Sequence, residues 1–115
     1  MELKQLYQAL GADYEGTFSR LMGERLMNKY VRKFPADTSF QLLTESIAAQ
    51  DWETAFRAVH TLKGVCANLG FTRLWQASSD LTEAVRGGKP LNDFNLFSIV
   101  EAEYKTTVDA IGGLE

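Results

Sequence analysis

Apolar residues recur at intervals of three and four along nearly all of this 115-residue chain, and no segment sustains the every-second-residue alternation of a strand. That spacing gathers apolar side chains into one stripe of a helix, so the chain is expected to be all-α. At 45% hydrophobic and 23% charged, with two prolines, it is too apolar to stay disordered. A domain of this size buries roughly two thirds of the surface its unfolded form exposes. Residues 1–115 are therefore expected to form a single helical domain around one core.

Leu3, Leu6, Tyr7 and Leu10 mark a short first helix that Gly11 ends. A second, longer helix is expected from about Glu15 to Phe34, with Phe18, Leu21, Met22, Leu26, Tyr30 and Phe34 as its stripe and Pro35 as its stop. Asp37 or Thr38 caps a third, in which Phe40, Leu43 and Ile47 point one way before the chain turns near Gln50. Asp51 is placed to cap a fourth. A fifth, about Thr72 to Arg86, carries Leu74, Ala77, Leu81 and Val85 inward and meets a strong stop at Gly87-Gly88-Lys89-Pro90. Asn92 caps the last, whose stripe is Phe94, Phe97, Val100, Tyr104, Val108 and Ile111, and Gly112-Gly113 ends it. Short connections favour antiparallel neighbours, so the expected architecture is an antiparallel up-down four-helix bundle with the first helix or two across its end or side.

A net charge of −3 with no basic segment argues against nucleic-acid binding, because phosphate backbones are held by clustered Lys and Arg. No apolar run has the length of a membrane span, and Met1-Glu2-Leu3-Lys4-Gln5 lacks the apolar core of a signal peptide, so the expected address is cytoplasmic and away from membranes. Cys66, the one cysteine, has no partner for an internal disulfide, and with a single histidine it makes no zinc-type ligand set. Packing is its expected role. No phosphate-binding loop of the G-x-x-x-x-G-K-[ST] kind is present, so autonomous ATP-dependent kinase activity is not expected.

The single histidine, His60, lies on the fourth helix. At 100° of rotation per residue, Ala55, Val59, Leu62, Cys66 and Leu69 gather on an arc about 140° from His60 by the shorter route. His60 therefore faces solvent. On its side of the helix lie Glu53, Arg57, Gly64 and Ala67, with Phe56, Lys63 and Asn68 toward the edges. Free imidazole titrates at about pH 6.5, so near neutral pH a ring nitrogen has the lone pair that a phosphoryl acceptor needs. Lys63, three residues on, brings an ammonium within reach of a group on His60. Gly64 costs a helix interior about 1 kcal/mol relative to alanine. Either it permits a close helix crossing or it lets another protein approach the imidazole.

His60-Thr61-Leu62-Lys63-Gly64, followed after four residues by Leu69-Gly70, resembles the signature of the histidine-containing phosphotransfer domain. The resemblance extends to an N-capping Asp before the motif helix, a following helix from about Thr72 and a glycine-rich turn after it. It implies that His60 accepts a phosphoryl group from a phospho-aspartyl receiver domain and passes it to another receiver, as a carrier. It further implies Lys63 as the neutralising cation and Gly64 as clearance for the receiver, with Arg57, Ala67 and Asn68 completing the docking patch. The implied partners are response-regulator receivers and a hybrid histidine kinase. The chain itself needs no bound cofactor or metal, Mg²⁺ being held in the receiver's acidic pocket. Many relatives carry a Gln or Glu on the next helix that bonds the histidine ring; counting from His60, that place falls at Thr82, with Glu83 beside it. The alternative is a helical interaction module that binds a receiver or other signalling partner without carrying phosphate. A shuttle is expected to be a monomer, and sedimentation would separate it from a dimerisation module.

Overall fold

All residues 1–115 are described by a computed structural model, in which every regular element is helical. Seven α-helices follow in order: α1 Leu3–Leu10, α2 Tyr14–Leu21, α3 Glu24–Lys33, α4 Ser39–Ala48, α5 Trp52–Leu69, α6 Thr72–Ala84 and α7 Asn95–Ile111. Tight 3₁₀ turns occupy Phe34–Ala36 and Arg86–Gly88. No helix is long and apolar enough to cross a membrane.

Helices α4 to α7 form the expected four-helix bundle, with α5 packed between α4 and α6, and α6 against α7. The fourth side closes through aromatic rings. Phe40 of α4 stacks on Tyr104 of α7 at 4.0 Å between centroids and 10° between planes, and on Phe97 at 6.3 Å. The stripes read from the sequence fill the centre: Leu43 and Ile47, then Ala55, Val59, Leu62, Cys66 and Leu69, then Leu74, Ala77, Leu81 and Val85 are all buried. Helix α1 packs on α7, while α2 and α3 pack on α5. The Met1 ammonium donates to the Gly113 carbonyl at 2.6 Å, which fixes the start of the chain beside the end of α7.

The amino-terminal half departs from expectation. The long second helix is two helices, broken where Met22 takes φ 60° and Gly23 φ 120°. The Gly23 amide donates to Phe18 O at 3.0 Å and the Met22 amide to Ser19 O at 3.4 Å, a hydrogen-bonded helix stop that a glycine in this position favours. The break rotates the following turn, so of the anticipated stripe only Phe34 is buried and Leu21 and Leu26 half-buried. Phe18, Met22 and Tyr30 are exposed, while Thr17, Met27, Val31 and Phe34 are buried. Three short helices, rather than one or two, therefore precede the bundle.

Of the expected caps one alternative is settled and one is corrected, and the last stripe needs a further correction. Asp37 makes the capping bond for α4, accepting from the Ser39 amide at 2.9 Å, whereas the Thr38 side chain caps nothing. At α7 the bond comes from Asp93, which accepts from the Asn95 amide at 3.0 Å, so Asn92 is not the cap. Phe94, ahead of that first turn, is 52% exposed and meets Trp52 edge-on instead of entering the core.

Candidate functional site

Helix α5 presents the site, and both of its ends are tied down. At the amino end Asp51 accepts from the Thr54 amide at 3.2 Å and from the Thr54 hydroxyl at 2.6 Å. Those bonds, the hydroxyl's foremost, hold its carboxyl below the ordinary aspartate range. At the carboxyl end every one of the last four carbonyls, which a helix leaves without internal partners, is satisfied. Cys66 O accepts from the Phe71 amide at 3.0 Å and Ala67 O from the Gly70 amide at 3.3 Å. Arg20 of α2 donates to Ala67 O at 3.0 Å and to Asn68 O at 3.2 Å. Tyr7 of α1 donates to Leu69 O at 2.6 Å. The Asp13 amide adds a bond to Gly70 O at 2.9 Å. Gly70 has φ 72°, and a Cβ there would lie 2.6 Å from Asp13 O and run into the Thr17 hydroxyl, so this close approach requires glycine.

Between these ends His60 stands exposed, as the helical projection requires, while the arc opposite it is buried. Arg57, Gly64, Ala67 and Asn68 share the exposed face and Lys63 is half-buried at its edge. A Cβ built on Gly64 meets nothing within 4 Å, so no helix crossing explains this glycine. Arg57 donates to Thr54 Oγ1 at 3.3 Å. Asn68 sits two turns on from His60, about 12 Å along the axis at 1.5 Å per residue. Arg57 and Gly64 flank the imidazole, whereas Ala67 and Asn68 lie at the far end of the patch, where Arg20 binds their carbonyls.

Lys63 does not stand over His60. Its ammonium lies 5.8 Å from the centroid of the Trp75 ring on α6, a cation–π contact across the helix pair. The imidazole instead has an aromatic neighbour: Phe56, one turn before it, with centroids 5.8 Å apart and planes at 15°. Arg86 sits 5.4 Å from the centroid of the Phe56 ring and is itself held by Glu83 through two bonds of 2.9 and 2.8 Å. The Arg86 bond chiefly, with the charges of Arg86 and Lys63, holds the Glu83 carboxyl below its ordinary range, and the Arg86 guanidinium is raised in return.

Thr82 is fully buried and donates to Ser78 O at 2.6 Å, so its hydroxyl is spent within α6 and does not reach the ring. Cys66 is buried in the core, where burial pushes its thiol up to about 12. No group of three or more His, Cys, Asp or Glu side chains is arranged to hold a metal ion. The Phe56–His60 pair and the Glu83–Arg86 pair escaped the sequence reading. Their spacings, four and three residues on one helix, are the signal that would have found them.

The family model described as Hpt domain matches residues 30–111, which take in the end of α3 and the whole of α4 to α7. Neither a curated protein nor a solved structure matches the chain. With well over half of the chain inside that match and the exposed histidine within it, the chain belongs to the Hpt domain family, phosphoryl carriers between histidine and aspartate in two-component phosphorelays rather than autonomous enzymes.

Proposed function

We propose that His60 is the residue on which this chain carries the phosphoryl group. The observation that supports it is the pairing of the chain's one imidazole, exposed at the middle of a helix anchored at both ends, with open space over Gly64 one turn on. In the step proposed, a neutral ring nitrogen attacks the phosphorus of a receiver's phospho-aspartate. A nitrogen–phosphorus bond forms, the acyl oxygen–phosphorus bond breaks, and the aspartate leaves as a carboxylate. The reverse sequence, on a second receiver, unloads the chain. Little chemistry is asked of the carrier beyond positioning and charge compensation.

The donor in this reading is a receiver, which a hybrid histidine kinase can supply, and Mg²⁺ resides in that receiver's acidic pocket. Lys63 neutralises the phosphoryl group after its flexible stem leaves Trp75, a contact worth about 0.5–2 kcal/mol for a half-buried pair. Arg57, Gly64, Ala67 and Asn68 form the receiver's footprint. Residues 1–115 act as one domain and as a monomer, because a shuttle needs its histidine face free for each partner in turn.

Mixing the chain with a phosphorylated receiver tests this directly. Acid-labile, alkali-stable label is expected on the chain and none on His60→Gln. Label persisting in that variant would move the carrier function off His60.

A further inference from the structure

We propose that Phe56 is a positioning residue for His60, fixing the plane of the imidazole in place of the hydrogen bond that the ring lacks. The inference rests on His60 being the phosphoryl carrier. The hydroxyls of the neighbouring Thr61 and of Thr82 on α6 are committed elsewhere: Thr61 donates to Arg57 O at 3.0 Å and Thr82 to Ser78 O at 2.6 Å. An exposed imidazole without a partner turns freely about its side-chain torsions. In-line transfer needs its nitrogen lone pair aimed at phosphorus, so that freedom is lost at each encounter.

The Phe56 ring removes part of it beforehand. Its centroid is 5.8 Å from that of the imidazole with planes at 15°, inside the range of offset aromatic stacking. A face contact orients the ring without occupying either nitrogen, whereas a hydrogen bond would engage one of them. Phe56 is itself half-buried and therefore less free than His60. It is braced by the Arg86 guanidinium at 5.4 Å, and Arg86 by the paired bonds to Glu83. The orienting group thus comes from the histidine's own helix, and its brace from Arg86 in the turn after α6, held by Glu83 of that helix.

The single histidine makes the test clean, because its ring-proton resonances are unambiguous. Phe56→Leu keeps apolar bulk and removes the aromatic face; Phe56→Tyr keeps the face. In the unphosphorylated chain, Phe56→Leu should move the His60 ring-proton shifts toward those of a free imidazole, and Phe56→Tyr should hold them. In transfer from a phosphorylated receiver, Phe56→Leu should lower the maximal rate about 3- to 10-fold, with the half-saturating receiver concentration unchanged within about twofold. Phe56→Tyr should stay within about twofold of the parent rate. Three results would overturn the proposal: Phe56→Leu with unchanged shifts and rate, a loss seen only in half-saturation, or Phe56→Tyr as impaired as Phe56→Leu. A parent chain that takes no label at all would instead overturn the carrier reading, while the resonances still report on the stack.

Discussion

Nothing in the molecule leans on Gly64, since a side chain there would enter open space. Gly64→Leu is therefore expected to fold, with a helix stabilised by up to about 1 kcal/mol, while filling the gap beside the imidazole. Transfer from a phosphorylated receiver should fall by at least about tenfold with an unchanged or raised melting temperature, the signature of a steric rather than a folding defect. Equal rates in the two proteins would remove the reason for a glycine here. Lys63→Ala should act differently, slowing transfer or shortening the phosphohistidine lifetime without blocking docking. At this scale the sequence was informative about direction and silent about company. A rotation of 100° per residue suffices to turn His60 outward and Cys66 inward. That Lys63 rests on Trp75, and Arg86 on Phe56, depends on how α6 lies against α5, which no single-helix projection contains.

Helix α5 is finished by two different kinds of chemistry. Its start is local, since Asp51 and Thr54 are three residues apart, and that cap was legible in the sequence. Its end is only partly so: the Gly70 and Phe71 amides serve Ala67 and Cys66 O locally, but the donors to Asn68 and Leu69 O come from α2 and α1, 48 residues away for Arg20 and 62 for Tyr7. The break between α2 and α3 was written as Gly23, but the apolar spacing on either side of it reads as one continuous helix. Tyr7 gives the carboxyl-terminal tie a pH signature. Burial foremost pushes its phenol from the ordinary value of 10.0 up to about 12. A raised folded-state value means that the folded chain holds this proton more tightly than the unfolded one. The tie is therefore intact below pH 10 and is lost as pH rises toward 12. Tyr7→Phe should lower the melting temperature at neutral pH, by the equivalent of about 1–2 kcal/mol for a buried hydrogen bond. It should also lessen the alkaline fall in stability, to which the buried Cys66 thiol, likewise pushed up to about 12, contributes in both proteins. A parallel fall in both proteins would assign it to another group.

The bundle was the most legible part of the whole molecule, because the stripes of α4, α5 and α6 are long and regular and their connections short. Its closing side, where Phe40 meets Tyr104 and Phe97, shows why Phe94 misleads: it continues the apolar spacing but precedes the first turn of α7. The family match begins at residue 30, so Tyr7, Asp13 and Arg20, the distant partners of the end of α5, all lie outside it. Hpt membership is carried by the bundle, and the integrity of its central helix is shared with the segment before it.

That division has an order in time. Contacts between the sequential pairs α4–α5, α5–α6 and α6–α7 close short loops, whereas the bonds from Tyr7 and Arg20, like the Phe40–Tyr104 stack, wait on the closure of longer ones. The leading helices should therefore settle after the folding barrier has been crossed. Tyr7→Phe is expected to quicken unfolding while leaving the refolding rate within about twofold, a difference that stopped-flow chevrons resolve. A newly folded bundle would thus display His60 on a helix still fraying at its far end, and the latch supplied by residues 7–20 sets how long that helix, once complete, stays closed.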